Sequence, residues 1–275
     1  MQVIETLEGL AAARREWQGR TVGLVPTMGY LHAGHRSLAL RARADNEIAI
    51  ASIFLNPAQF GPTEDLSRYP RDLPRDLALL EGAGLDAVFR PQAAAIYPPG
   101  FATYVEPTGS LATRLEAATR PGHFRGVATV VLKLFQLVGP THAYFGQKDA
   151  QQLAVIRQMV ADLNLPVEIV GMPIVREADG LAMSSRNAYL NAEQRAAATV
   201  LSCALAAGRE VFAAALHRGD TSADALQRTG AAMARVVAGE PLATLDYAVV
   251  CDPATCEPLA AASPPALLAV AAKVG

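Results

Sequence analysis

Two histidines, His32 and His35, stand three residues apart in the stretch Pro26-Thr27-Met28-Gly29-Tyr30-Leu31-His32-Ala33-Gly34-His35. Imidazoles in a glycine-punctuated turn can offer donors to an anion. The turn follows an apolar run, Thr21 to Val25, that reads as a buried strand. It precedes Arg36 to Asp45, whose Leu38, Leu40, Ala42 and Ala44 fit a helix. The first N–H groups of a helix lack partners, and the helix dipole favours negative charge beside them. A phosphate-binding turn is therefore expected, with an ordinary β–α turn carrying two surface histidines as the alternative.

The same layout recurs. A second apolar run, Glu47 to Leu55, leads into Asn56-Pro57-Ala58-Gln59. A third, Thr141 to Phe145, leads into Gly146-Gln147-Lys148-Asp149 and then a helical stretch, Ala150 to Leu163. Strands alternating with helices predict a parallel α/β sheet, where ligands collect at the carboxyl ends of strands. His32, His35, Asn56, Gln59 and Lys148 all fall just past such ends. Arg176 to Asn187 breaks the pattern; its hydroxyls and guanidinium beside a glycine suit a loop that closes on phosphate, while Ser184 or Ser185 as a helix N-cap is equally admissible.

The elements that must carry these groups follow from periodicity. Helices are expected over Thr6–Gln18, Asp72–Gly82, Val127–Val138, Ala192–Leu216 and Ala223–Val237. Further strands are expected over Leu85–Phe89, Ala102–Val105, Val167–Val175, Thr244–Val250 and Ala266–Val274. A domain boundary near Val175 divides the chain into 1–175 and 176–275. Gly82-Ala83-Gly84-Leu85-Asp86-Ala87 spells GxGxxA, but it follows a helix and precedes a strand, the reverse of a dinucleotide-binding turn. No GxxxxGK[ST] occurs.

Composition narrows the class. Of 275 residues, 51% are hydrophobic, which supports a large core and excludes global disorder. A net charge of −2 argues against a nucleic-acid-binding surface spread over the whole protein, though not against a local basic pocket. Cys203, Cys251 and Cys256 form no CxxC, so neither a disulfide framework nor structural zinc is expected. No signal peptide is apparent, and no apolar run of about 18 residues lacks a charge or a proline. A soluble, cytoplasmic protein is expected, without membrane or nucleic-acid partners.

His-x-Gly-His resembles the signature of the nucleotidyltransferase superfamily that includes class I aminoacyl-tRNA synthetases. Five further motifs follow in order: Phe54–Phe60 (FLNPAQF), Asp65–Arg71 (DLSRYPR), Arg120–Val127 (RPGHFRGV), Phe145–Leu153 (FGQKDAQQL) and Gly180–Leu190 (GLAMSSRNAYL). Together they resemble the pantothenate synthetase (pantoate–β-alanine ligase) family. The resemblance implies a Rossmann-like N-terminal domain, a smaller α+β C-terminal lid domain and a homodimer. It implies adenylation of pantoate by ATP, then attack of β-alanine on pantoyl adenylate, releasing AMP and pyrophosphate.

It also implies roles. His32, His35, Lys148 and Arg186 would act at the phosphates, and an imidazole there should have a raised pKa. Pro26, Thr27, Met28, Gly146, Asp149, Val175, Met183, Ser184 and Ser185 would complete the ATP site. Met28, Gln59 and Gln152 would hold pantoate, with Asn56, Tyr69, Arg120 and His123 as further candidates. Asp76 would neighbour the Mg2+ that ATP carries. Two departures stand out: Arg75 precedes Asp76 where the family often has paired acids, and the chain ends at Gly275, short of a usual final strand. An adenylyltransferase acting on a phosphorylated precursor, and a non-catalytic nucleotide-binding module, are the competing readings.

Overall fold

The computed structural model describes residues 1–275, and the chain divides into two units. The first comprises Met1–Ala112 and Glu116–Val175; the second comprises Thr113–Leu115 and Arg176–Gly275.

In the first unit the elements run β1 (Gln2–Ile4), α1 (Leu7–Glu16), β2 (Val22–Thr27), α2 (Ala33–Asp45), β3 (Ile48–Ile53), α3 (Leu73–Glu81), β4 (Ala87–Phe89), α4 (Ala93–Ile96), α5 (Glu116–Thr119), α6 (His123–Val138), β5 (His142–Gly146), α7 (Ala150–Asp162) and β6 (Glu168–Met172). All six strands are parallel, in the order β1-β4-β3-β2-β5-β6. The α/β reading of the sequence is therefore observed. β2 and β3 are buried almost throughout, as their continuous apolar runs require when helices cover both faces of a sheet. The core between sheet and helices is built from Val25, Leu38, Ala42, Ala51, Leu80 and Val88, with the fully buried Tyr144.

Strand order fixes where a ligand can sit. From β2 the chain builds outward through β3 to β4; it then returns to the other side of β2 with β5 and β6. The loops leaving β2 and β5 thus depart in opposite directions and open a crevice at their carboxyl ends.

Several expected elements moved. β1, only three residues long, was too short to show a period. Ala102–Val105 is extended but joins no sheet: the Val105 N–H donates to Thr129 Oγ1 at 3.0 Å instead of to a neighbouring strand. α2 and α6 start earlier than their apolar runs, at Ala33 and His123, because polar residues form their first turns.

The second unit holds α8 (Ala192–Ala197), α9 (Val200–His217), α10 (Ala223–Ala238) and the antiparallel pair β7 (Ala243–Cys251) and β8 (Leu267–Val274). The single helix expected over Ala192–Leu216 is broken at Ala198–Thr199, where Thr199 Oγ1 donates to the Ala196 carbonyl at 2.7 Å. Read as one piece, Ala192–His217 has the length and hydropathy of a membrane span. That break, the charged Glu193, Arg195, Arg209 and Glu210, and the packing of Ala204, Phe212 and Ala215 against Met233 and Val237 mark it as a core element of this unit. The three cysteines are unpaired.

Candidate active site

The histidine turn is locked by its own side chains. His32 is the N-cap of α2: its Nδ1 accepts the Gly34 N–H at 3.1 Å. His35 Nδ1 accepts the His32 N–H at 3.3 Å, closing a reciprocal capping box. An Nδ1 that accepts carries no proton, so each neutral ring keeps its proton on Nε2. Both imidazoles thereby become fixed N–H donors at a helix start. The rings lie 4.1 Å apart between centroids. Gly34 is required here, because a Cβ would stand 2.8 Å from His32 Cε1.

Burial is the main cause of depressed pKa values at both rings, about 4 for His32 and about 3 for His35. Lys148 adds to the depression, and Asp149 opposes it. The protein's own atoms thus push in the direction opposite to the rise expected from phosphate. The cap geometry agrees, since a proton on Nδ1 would eject a backbone N–H. The unfolded chain takes up these protons near pH 6.5 and the folded chain only near pH 4 and below. Histidine-linked stability is therefore fully present above pH 6.5 and is lost as pH falls towards 4. Thermal melts from about pH 7 to about pH 4.5 should show a steeper decline for the parent than for a His32→Asn/His35→Asn variant, which keeps acceptors but cannot titrate.

The reach of the Lys148 and Asp149 charges to both histidines places the turn after β5 beside the turn after β2. Lys148 is exposed and lies 3.1 Å from Asp149 Oδ1. Gly146 ends β5, and Val175 is 3.9 Å from a Cβ built on Gly34.

Asp76 lies against the histidine turn. It is buried, and its Oδ2 and Oδ1 accept the N–H groups of Tyr30 and Leu31 at 2.7 and 2.6 Å. It braces the histidine turn from α3 and holds Tyr30, a non-glycine residue, at φ 52°. Burial raises its pKa, against the pull of the two N–H groups. No group of three or more His, Cys, Asp or Glu side chains is disposed to hold a metal. In the ligand-free chain this carboxylate is a loop brace.

A second cluster surrounds Gln59. Asn56 Nδ2 donates to Gln59 Oε1 at 2.9 Å and to the Gly126 carbonyl at 3.1 Å. Asn56 Oδ1 accepts the Tyr97 hydroxyl at 2.7 Å and the Ala58 N–H at 3.2 Å. With its oxygen held, Gln59 turns its Nε2 donors towards Met28, 3.1 Å from the sulfur. His123 Nδ1 donates to the Gln59 carbonyl at 2.8 Å, and its Nε2 faces Arg120 Nη1 at 3.1 Å. Burial and the Arg120 charge keep His123 below its ordinary pKa. Arg120 is itself anchored on Glu64 and Glu116, at 2.5 and 2.6 Å. Asn56, His123 and Arg120 thus act as supports of Gln59. Tyr97 joins them, although nothing but a proline-rich setting marked it in the sequence. Tyr69 is buried and packs edge-on against Phe60.

Gly126 lets α6 press onto this cluster: a Cβ there would meet the Ala58 carbonyl oxygen at 2.2 Å and Gln59 Cα at 2.6 Å. Gly126→Ala should cost about 1–3 kcal/mol by overpacking. It should also weaken binding to the Gln59 donors more than ATP binding, which paired calorimetric titrations would measure.

Gln152 is half-buried on α7, whereas its neighbour Gln151 is committed to structure, bonding the Leu111 carbonyl and the Glu116 N–H. In the second unit, Ser184 Oγ accepts the Arg186 N–H at 3.3 Å, the N-cap role considered from sequence. Met183 and Arg186 are half-buried, and Ser185 is buried.

A switch-point crevice with two fixed imidazole donors and a lysine defines an α/β protein of the nucleotide-binding class. The pantoate-beta-alanine ligase family model matches residues 2–275. A relative from Herpetosiphon aurantiacus named pantothenate synthetase is 60% identical over 94% of this chain and 90% of its own length. The pantothenate synthetase structure from Thermus thermophilus matches with a TM-score of 0.91 at 49% identity, over 100% of this chain and 95% of that one. A pantoate-beta-alanine ligase from Francisella tularensis, solved with beta-gamma ATP and beta-alanine, matches at 33% identity and a TM-score of 0.75, over 90% and 88%. The chain belongs to the pantoate-beta-alanine ligase family.

Proposed function

We infer that this chain joins pantoate to β-alanine at the expense of ATP, with the crevice after β2 and β5 as the phosphate site. The single observation that carries the assignment is the pair of Nε2–H donors set beside Lys148. A pantoate carboxylate oxygen attacks the α-phosphorus; the bond to the β-phosphate oxygen breaks, and its electron pair leaves with pyrophosphate. The β-alanine amine then attacks the acyl carbon, and AMP departs. The substrate supplies the nucleophile, so the protein contributes alignment and charge stabilisation.

Gln59 and Gln152 are the proposed pantoate contacts. Neutral amides orient hydroxyls and a carboxylate without the salt bridge that would blunt its attack. Pro26, Thr27, Met28, Gly146, Asp149 and Val175 border the nucleotide in this reading. Magnesium enters with ATP, on phosphate oxygens; the residues present form no cage for it. A cytoplasmic homodimer completes the proposal, and sedimentation equilibrium would measure the assembly.

The function is tested by omitting each substrate in turn. AMP and pyrophosphate should accumulate beyond a single turnover only when ATP, pantoate and β-alanine are all present. ADP as the product would refute it.

A further inference from the structure

Arg75, on α3 one residue before the Asp76 brace, makes no ion pair at contact distance; its charge reaches the Asp76 carboxylate and lowers that group's pKa. Arg41, Arg43, Arg90 and Arg120 each meet an acid. The guanidinium of Arg75 instead lies over the Tyr30 ring, 5.0 Å from its centroid. The two acids nearest in sequence are engaged elsewhere: Asp76 with the Tyr30 and Leu31 N–H groups, and Asp72 Oδ1 with the backbone N–H of Arg75 itself. Tyr30 belongs to the histidine turn and is pinned by Asp76, so its ring is a fixed platform for the cation. The Arg75 charge reaches His32, where with Lys148 it opposes protonation. His32 therefore has a fixed positive charge from α3 as well as one from the turn after β5.

We propose that Arg75 is a further polyphosphate-binding residue of this site, a second fixed cation that neutralises the pyrophosphate end of ATP. The proposal rests on the ATP reading above. A charge held on a ring, exposed and in no close ion pair, suits a multivalent anion that must bind and then leave: the pair forms close to solvent, so it aids neutralisation without trapping the product.

The test is direct calorimetric binding of ATP and of inorganic pyrophosphate to the full chain and to Arg75→Gln and Arg75→Lys variants. Arg75→Gln should weaken both ligands about fivefold, and Arg75→Lys should retain most of the affinity. Pantoate affinity should not move. Unchanged pyrophosphate binding in Arg75→Gln overturns the proposal. So does equal loss in both variants, which would mean that the side chain only packs on Tyr30. Binding is read without turnover, so a wild-type chain that binds ATP but yields no AMP would sink the ligase reading and leave this one standing.

Discussion

Lys148→Ala should slow adenylate formation by about 10²–10³-fold while leaving the melting temperature nearly unchanged. The two halves of that expectation have separate causes. Lys148 sits on an exposed turn, and its carboxylate neighbour is Asp149, itself about half exposed. An exposed ion pair of this kind contributes at most about 1 kcal/mol to stability. In the proposed reaction its charge would face phosphate in a crevice where negative charge shifts towards the leaving pyrophosphate. Removing one preorganised stabiliser of developing charge costs about 10²–10³ in rate. Rapid-quench measurement of pyrophosphate release, with ATP and pantoate saturating, isolates this step from amine attack. A second readout checks the geometry: Lys148 lowers the His32 pKa, so the variant should show it raised in an NMR titration. Pyrophosphate release at the parental rate would remove Lys148 from the mechanism.

The strand ends were legible in the sequence because their signals are local. A buried strand, a glycine turn and a helix start lie within about fifteen consecutive residues, and the motif grammar identifies such a unit without tertiary information. What could not be read was whatever depends on distant partners. Asp76 looks like a solvated acid on the first turn of a helix; its partners are Tyr30 and Leu31, 46 and 45 residues away. Asn56, Arg120 and His123 were seen as polar groups in turns, and only the fold shows them converging on Gln59. Periodicity also fails where side chains compete with the backbone. Thr199 bonds the Ala196 carbonyl where a long alanine-rich helix tightens into a turn, and Thr129 takes the Val105 N–H that a strand pattern would assign to a ladder. The tautomers of His32 and His35 follow from backbone donors whose positions the sequence does not encode locally.

Asp76→Asn separates the two roles this residue could play. The substitution keeps the shape and replaces one accepting oxygen with an NH2 group. Whichever way the amide turns, either Tyr30 or Leu31 then points its N–H at a donor. A charge-assisted hydrogen bond becomes a buried repulsive contact, and an unsatisfied donor costs about 1–3 kcal/mol beyond the lost bond. The expected result is a loss of about 2–4 kcal/mol in the unfolding free energy of the ligand-free chain, identical in EDTA and in excess Mg2+. ATP affinity should fall as well, because Tyr30, at φ 52°, and Leu31 are both held by this carboxylate at the turn that carries His32 and His35. A magnesium ligand would behave in the opposite way. The amide would leave the metal-free protein as stable as the parent, or more so by relieving a buried charge, and would change only the magnesium dependence of turnover. Denaturant titrations of parent and variant with and without the metal therefore decide the matter. A variant as stable as the parent in EDTA would overturn the brace and return Asp76 to the metal.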